Sequence, residues 1–333
     1  MARKHLVVVL ALLVSLLMVG SSTALGATQF RIGHIMNIDH PHHLALMKFA
    51  ELVKEKTGGS VEVKIYPNSQ LGNALTQIQA VKLGTLEGFL DGVGWYGQFQ
   101  GDYYLPATAF AVRDMDHAVR IMDGPVGQAM AERLRQQHGL RVLDQSWVRL
   151  PRHLLSSKPV RSLADIKGLK LRIPELKSYV EPWRALGASP TPIAFAEVYL
   201  ALQQGIVDAM ECPLDMIYTQ RLHEVAKYLT LTYHQFETGS LVVNDRWYSR
   251  LTPDQQQAIA EALEEAKKYN NELSYADELE IIEKMKEEGV IFIEIDRDEL
   301  IEAAKDVPVR LEEEGLWTKG LYESALAEAE AQD

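Results

Sequence analysis

The sequence predicts an α/β protein with two domains, and three observations support that fold class. Short apolar segments alternate with amphipathic segments along most of the chain, which is the pattern of an open sheet covered by helices. A length of 333 residues, of which 47% are hydrophobic, provides enough apolar surface for two cores. A predicted helix over residues 253–288 would be about 54 Å long, whereas a domain of about 150 residues is only ~30–35 Å across. We therefore expect this helix to cross both domains.

The individual elements follow from apolar periodicity and from the turn residues between them. In the first half, Gly58 and Gly59 end a helix, and Pro151 separates the two halves. The predicted order is strand 30–35, helix 44–56, strand 61–66, helix 75–83, strand 89–90, helix 115–138, strand 140–145, strand 169–172, helix 176–186, helix 196–203, strand 206–210 and helix 214–222.

The long helix has clear end signals. Thr252 is a suitable N-cap, Pro253 occupies the first helical position, and Gln255 completes a capping box. Gly289 is a suitable stop. A pair of helices broken near Asn270 is the alternative, although neither Gly nor Pro is present there to break the helix.

The N-terminus predicts a cleaved secretory signal peptide over residues 1–27. Arg3 and Lys4 precede an apolar run of about 14 residues, and small residues follow it. That run is shorter than the ~20 residues of a spanning helix, so a retained anchor is the less favoured alternative. No cysteine follows the run, which excludes a lipoprotein anchor. We expect an exported protein that is periplasmic in a bacterium with an outer membrane.

Charge and cysteine content exclude several function classes. The formal net charge of −12 disfavours nucleic acid as a partner, because phosphates attract Lys and Arg. A single cysteine, Cys212, excludes an internal disulfide framework and a cysteine-rich zinc module. The remaining class is a soluble acidic protein that acts on a small molecule.

Several motifs, in order and at consistent spacing, carry a resemblance to a known family. They are YPNSQLG at 66–72, RHLLSSKPV at 152–160, ADIKGLKLRIP at 164–174, ALGASPTP at 185–192, EVY at 197–199 and ALQQGIVD at 201–208. Together they resemble the DctP-type solute-binding subunits of tripartite ATP-independent periplasmic (TRAP) transporters. The resemblance extends from about Phe30 to the end of the long helix.

This resemblance implies a periplasmic-binding-protein fold of two α/β lobes joined by crossing strands, with the long helix spanning both. The first lobe would comprise residues 28–149 plus 238–277, and the second 150–237 plus 278–333. The lobes would close on a small organic acid anion and deliver it to the two integral-membrane subunits of the transporter. The resemblance implies neither a cofactor nor catalysis.

The resemblance also assigns roles to residues of the second lobe. Arg172 would grip the ligand's carboxylate, because its planar guanidinium matches two carboxylate oxygens. Arg152 would add a second donor, held in place by Glu211 and His234. Salt bridges on the surface are the alternative role for such arginines.

Further ligand contacts are expected from both sides of the cleft. Phe195 would pack on the ligand, unless it is a core residue. Cys212 stands where many relatives carry Asn, and its weak thiol donor would reduce one polar contact. The first lobe would contribute Asp91, Trp95 and Tyr96, and Glu237 near the return crossing would join them. These carboxyl groups favour a polar monocarboxylate, with a sulfonate or a C4-dicarboxylate as the alternatives.

Three other functions have weaker support in the sequence. The segment 92–97 matches GxGxxG, but Trp95 and Tyr96 are bulky and no helical periodicity follows, so we interpret it as a loop rather than a nucleotide site. A zinc-binding protein is the alternative from another class, because clustered His and Asp can bind Zn²⁺. An enzyme is not predicted, since GxSxG, HExxH and SxxK are absent from the sequence. The zinc alternative would use a cluster of His34, Asp39, His40, His42 and His43.

Overall fold

The structure is a computed structural model that describes residues 26–330. The predicted signal peptide therefore lies outside the described residues, except for Gly26 and Ala27. Within the described part of the chain, no helix is both long and apolar enough to span a bilayer.

The chain forms two sheets, each in a lobe of its own. The first sheet has five strands in the order β2-β1-β3-β10-β4, and only β10 runs antiparallel to its neighbours β3 and β4. Its strands are β1 (Thr28–Gly33), β2 (Val61–Tyr66), β3 (Gly88–Gly92), β4 (Leu140–Trp147) and β10 (Gly239–Asn244).

The second sheet has six strands in the order β11-β9-β5-β8-β6-β7. Within it, β5 is antiparallel to both of its neighbours, while β6 pairs in parallel with β7 and β8. Its strands are β5 (Arg152–Ser156), β6 (Lys170–Ile173), β7 (Ser189–Pro192), β8 (Ala209–Pro213), β9 (Tyr228–Gln235) and β11 (Ile291–Glu294).

Helices cover both sheets, and four of the inner strands are consequently buried along their whole length. Every residue of β3, β5, β8 and β10 is buried, as expected for strands packed on both faces. The helices are α1 (Pro41–Lys56), α2 (Ala74–Leu83), α3 (Met115–Asp123), α4 (Pro125–His138), α5 (Leu163–Ile166), α6 (Lys177–Ala185), α7 (Val198–Gln203), α8 (Leu214–Thr219), α9 (Asp245–Tyr248), α10 (Pro253–Glu287), α11 (Arg297–Ala304), α12 (Val307–Glu313) and α13 (Leu321–Glu330).

Two short segments carry the chain between the sheets. Residues 148–151 join β4 of the first sheet to β5 of the second, and residues 236–238 lead back from β9 to β10. We call these two segments the hinge segments.

The helix α10 is continuous and reaches both lobes, as predicted from its length. It packs against α1 and β4 of the first lobe and against α8 of the second. The predicted capping box is present, with Gln255 N–H donating to Thr252 Oγ1 and Thr252 N–H donating to Gln255 Oε1. Midway along α10, the Asn270 amide donates to Val148 O at 3.0 Å and fixes the first hinge segment to the helix.

Two predicted elements differ from the structure. The predicted helix 115–138 is broken into α3 and α4 at Gly124, because Pro125 has no N–H for a helix interior and instead begins a new helix. The predicted strand 206–210 is found three residues later, as β8, since Gly205 has a positive φ and Ile206 is 56% exposed in the preceding turn.

The lobe boundaries stay a prediction, although the C-terminal helix has a notable position. Helix α13 belongs to the segment assigned to the second lobe, yet it packs on α3 and α4. The ring of His117 on α3 also hydrogen bonds Ala325 O at 2.7 Å. The end of the described chain is thus held against helices of the first lobe.

Candidate functional site

A pocket lies where the two lobes and both hinge segments meet. The first lobe contributes Ile35, Asp91 and Trp95, and the hinge segments contribute Arg149 and Glu237. The second lobe contributes Arg152, Arg172, Pro174, Leu176, Tyr179, Phe195, Cys212 and Met216.

Arg172 is a buried cation in the pocket wall. It lies on β6 and is only 2% exposed, with Nε donating to Ile193 O at 2.9 Å. Among the side chains that the structure describes, no carboxylate oxygen lies within 4.0 Å of its guanidinium. Burial consequently lowers the pKa of Arg172. The two terminal nitrogens are left to bind an anion.

Phe195 supports Arg172 from one side. The partly buried Phe195 ring lies with its centroid 5.6 Å from the Arg172 guanidinium carbon, in the range of a cation–π contact. This contact and the Ile193 hydrogen bond hold the guanidinium plane in one orientation.

Arg152 forms a buried ion pair with Glu211 across β5 and β8. Its Nε lies 2.5 Å from Glu211 Oε2 and its Nη2 lies 2.9 Å from Oε1. Although burial acts to raise the pKa of Glu211, Arg152 and His234 outweigh it and the pKa is lowered. Because Glu211 takes Nε and Nη2, only Nη1 is left for a ligand.

His234 extends this ion pair on the side away from the pocket. Its Nε2 lies 3.1 Å from Glu211 Oε2, and its Nδ1 is 2.7 Å from the Thr232 hydroxyl. Burial lowers the pKa of His234, so the ring is neutral and donates Nε2–H to Glu211.

Arg149, Asp91 and Glu237 form a second charged group, which we call the hinge cluster. Arg149 Nη1 lies 3.3 Å from Asp91 Oδ1 and 3.6 Å from Glu237 Oε2, and all three side chains are buried. Glu237 also accepts from Gly94 N–H at 2.8 Å and from the Tyr179 hydroxyl at 3.3 Å. Two carboxyl groups thus share one guanidinium, and burial raises the pKa of both.

Asp91 is incompletely satisfied within this cluster. Its Oδ1 accepts from Gly92 N–H at 2.7 Å, whereas its buried Oδ2 has no hydrogen-bond partner in residues 26–330 as described. A buried acceptor without a partner is costly, and Asp91 lines the pocket, so a donor on a ligand would satisfy it.

The glycines of the GxGxxG segment have a packing role in the hinge cluster. A Cβ at Gly92 would lie 2.3 Å from Arg149 Nη1, and a Cβ at Gly94 would lie 2.8 Å from Glu237 Oε1. The segment itself forms short 3₁₀ turns, at Val93–Gln98 and Gly101–Tyr104, in place of the predicted irregular loop. The glycines therefore allow the close approach of charged side chains rather than of a pyrophosphate.

The remaining predicted residues differ in their positions. Trp95 lines the pocket and is 8% exposed. Tyr96, which we expected in the same wall, is fully buried against Tyr103 and does not line it. Consecutive residues of a 3₁₀ turn point in different directions, so only one of this pair faces the cleft.

Cys212 lines the pocket from β8. It is 1% exposed, its Sγ lies 3.9 Å from Met216 Sδ, and burial raises its pKa to about 12. Cys212 is therefore a neutral thiol beside a thioether, which makes this part of the wall weakly polar.

The predicted histidine cluster is buried but forms paired contacts. His34 Nε2 lies 3.0 Å from His43 Nδ1, and His40 Nε2 lies 3.2 Å from Asp215 Oδ2. The Nδ1 of His40 accepts from His42 N–H and caps α1. Over the described ranges of the chain, no group of three or more His, Cys, Asp or Glu side chains is arranged to hold a metal ion.

Sequence reasoning missed Arg149 and Tyr179. Arg149 lies in a hinge segment, outside any periodic element, and Tyr179 lies within a predicted helix as one apolar position among several. The Tyr179 ring is 5.2 Å from the Arg152 guanidinium carbon, and its hydroxyl accepts from Gln235 at 2.6 Å. Neither contact has a local signal in the sequence.

Comparison with known proteins identifies the family. The family model for DctP, bacterial extracellular solute-binding protein family 7, matches residues 32–313. The 2,3-diketo-L-gulonate-binding periplasmic protein YiaO of Escherichia coli K12 is 33% identical over 309 residues, which cover 90% of this chain and 94% of YiaO.

Solved structures of TRAP periplasmic solute-binding proteins have the same fold. One from Roseobacter denitrificans with bound L-galactonate has a TM-score of 0.84 and 30% identity, covering 90% of this chain and 100% of that one. One from Sulfurospirillum deleyianum with bound succinate has a TM-score of 0.85 and 26% identity, and the match covers 91% of this chain and 99% of that one. The chain therefore belongs to bacterial extracellular solute-binding protein family 7, the DctP family of TRAP-transporter solute-binding proteins.

Proposed function

We propose that this protein is the periplasmic solute-binding subunit of a TRAP transporter and captures a polar monocarboxylate between its two lobes. The observation that carries the proposal is the state of Arg172, a buried guanidinium with no carboxylate within 4.0 Å among the described side chains. An isolated buried charge costs several kcal/mol unless it is paired. A ligand carboxylate supplies the missing partner.

The orientation of Arg172 supports a bidentate contact. Its Nε is already bound to Ile193 O, so the end of the guanidinium that carries the two terminal nitrogens is free for two carboxylate oxygens. The Nη1 of Arg152 lines the same pocket and supplies a further donor. Lobe closure removes water from these contacts and strengthens them.

The hinge cluster favours a ligand that carries hydroxyl groups and has no second carboxylate. Asp91 Oδ2 is an acceptor without a partner among the described residues, and it carries negative charge when ionised, so it suits a hydroxyl group and repels a second carboxylate. YiaO and the Roseobacter protein are named for, or hold, oxygen-rich sugar acids. The succinate-bound neighbour keeps a dicarboxylate as the alternative.

Transport follows from the family rather than from the pocket. TRAP solute-binding proteins work with membrane subunits, and we propose that the closed form delivers its ligand to such a permease. The relative YiaO is named a periplasmic protein. Export of this chain by the predicted signal peptide is part of the same proposal.

The test is a thermal-shift panel on the purified periplasmic form, containing sugar acids, short hydroxy acids, succinate, sulfonates, amino acids and Zn²⁺. A ligand at 100 times its Kd adds about 2.7 kcal/mol of stability, which shifts the melting temperature by several degrees. We expect a hydroxylated monocarboxylate to stabilise the wild type and to have no effect on Arg172→Met.

The matched control is Arg184→Met. Arg184 lies on α6 of the same lobe, but its side chain is 61% exposed and pairs with Glu181 on the surface. This variant should respond to the ligand like the wild type. Stabilisation by Zn²⁺ alone, or equal responses of both variants, would overturn the proposal, and a response to sulfonates alone would replace the carboxylate.

A further inference from the structure

The three pocket arginines differ in how much negative charge surrounds them. Arg172 has no carboxylate partner in the described structure, Arg152 has Glu211, and Arg149 is shared by Asp91 and Glu237. All three guanidinium groups line one pocket. A residue of the same type is therefore available to an anion at one end of the pocket and occupied at the other.

Arg149 is occupied mainly through one nitrogen. Its Nη1 faces both carboxyl groups, and among the described residues the hydrogen-bond partner of its Nη2 is the Met216 sulfur at 3.5 Å, a weak acceptor. Removal of one carboxylate would therefore expose a buried guanidinium whose second nitrogen already lacks a strong partner. Such a guanidinium is a binding site for a carboxylate.

Glu237 is the more firmly held of the two carboxyl groups. It accepts from Gly94 N–H and from Tyr179, whereas the only hydrogen bond to the Asp91 side chain within the described structure comes from the adjacent Gly92 N–H. Asp91 also lines the pocket, and its buried Oδ2 has no hydrogen-bond partner among the described residues. Asp91 is thus the less firmly held of the two carboxyl groups.

We infer that Asp91 is a specificity-determining residue that excludes dicarboxylates by occupying Arg149, and that its removal converts the hinge cluster into a second carboxylate site. This inference rests on the proposed function, because it requires one ligand carboxylate to bind Arg172. It adds that the pocket contains a second potential anion site at Arg149, which becomes available when Asp91 is replaced by a neutral residue.

The experiment measures Kd by calorimetry for matched pairs of acids that differ only at the terminal carbon. The pairs are glycerate with tartronate, D-erythronate with meso-tartrate, and L-galactonate with galactarate. In each pair a terminal hydroxymethyl group is replaced by a carboxylate. The proteins are the wild type and Asp91→Asn, which keeps the size of the side chain and removes its charge.

We expect the wild type to bind at least one monocarboxylate about 10-fold or more tightly than its diacid partner. In Asp91→Asn, this preference should fall by about 10-fold or reverse, mainly because the diacid binds more tightly. If the melting temperature shows that Asp91→Asn folds poorly, Glu237→Gln is the second variant, because it also removes one of the two carboxylates that occupy Arg149.

The double variant Asp91→Asn with Arg149→Gln is the matched control. It lacks the exposed guanidinium, so the gain in diacid affinity should disappear while Arg172 is unchanged. A wild type that binds a monocarboxylate through Arg172 but does not discriminate, or variants that keep the wild-type preference, would overturn this inference alone. Failure of all six acids to bind would overturn the proposed ligand class as well.

Discussion

The two ends of the pocket carry opposite excess charge, although both are built around buried arginines. At the second-lobe end, Arg152 and Arg172 face one carboxylate, Glu211. At the hinge end, Arg149 alone faces Asp91 and Glu237. An anion with hydroxyl groups at its far end matches this polarity. The comparison teaches that an arginine's role depends on which carboxylates the fold places beside it.

The largest loss of stability should come from removing Glu211, the carboxylate at the second-lobe end. Glu211→Gln leaves Arg152 as a buried cation without its anion, and breaking a buried pair in this way costs about 3–5 kcal/mol. Urea denaturation of the ligand-free protein measures the loss.

The control is Glu132→Gln on α4. Glu132 makes the same two-bonded contact, to Arg135, but in that pair the carboxylate side chain is 50% exposed. Its loss should cost clearly less than the loss of the Glu211 charge, because solvent screens an exposed ion pair. Equal costs for the two variants would contradict the claim that burial determines the importance of the Arg152 pair.

The next largest effect should come from crowding the hinge end. Gly92→Ala would place a Cβ 2.3 Å from Arg149 Nη1 and 2.6 Å from Glu237 Cδ, so both side chains must shift. Overpacking of this kind costs about 1–3 kcal/mol, and ligand affinity should fall because Asp91 and Arg149 move. A variant with wild-type stability and affinity would show that the hinge cluster tolerates displacement.

The sequence predicted the parts of the fold that depend on local signals. The boundaries of α10 were correct within one residue, because its N-cap, capping box and closing glycine are all local. The predicted position of β8 was wrong because Ile206 and Val207 are apolar but lie before the strand, and only pairing with β5 and β6 determines which residues enter the sheet.

The site was predictable to a lesser extent. The resemblance indicated Arg152, Arg172, Glu211 and His234 by their motifs, but no motif specifies that Arg172 lacks an anion. That property depends on the side chains that surround it in space, among them Tyr179, Phe195 and Cys212. Arg149 was missed for the same reason, since its partners Asp91 and Glu237 are distant from it in sequence.

The two ends should also respond to pH in opposite directions. The pKa of Glu211 is lowered in the folded protein. Glu211 therefore stabilises the fold at pH values above its unfolded pKa of about 4.3, and this stabilisation is lost as the pH falls through the pKa of the folded state. The pKa of Asp91 is raised by burial. The contribution of Asp91 to stability is therefore present below its unfolded pKa of about 3.9 and is lost as the pH rises through the pKa of the folded state.

Relative to the wild type, Glu211→Gln should therefore lower the free energy of unfolding most at pH 7 and less below about pH 4. Asp91→Asn should gain stability as pH rises from about 4 to 7, by about 1.4 kcal/mol for each unit by which the Asp91 pKa is raised. Denaturation at pH 4, 5 and 7 measures both trends. Trends of the same sign would contradict the opposite polarity of the two ends.

The smallest effect on stability should come from Arg172, the residue that we propose as the main ligand contact. Arg172→Met removes a buried charge that has no carboxylate within 4.0 Å in the described structure and keeps an apolar side chain of similar length. Because the lost hydrogen bond to Ile193 is offset by the removal of a desolvated charge, the ligand-free stability should change by less than about 1 kcal/mol. Arg152→Met should instead cost about 3–5 kcal/mol, since it strands Glu211. A loss of that size at Arg172 would mean that the fold already supplies its anion, and the pocket would then have no unpaired charge to offer a ligand.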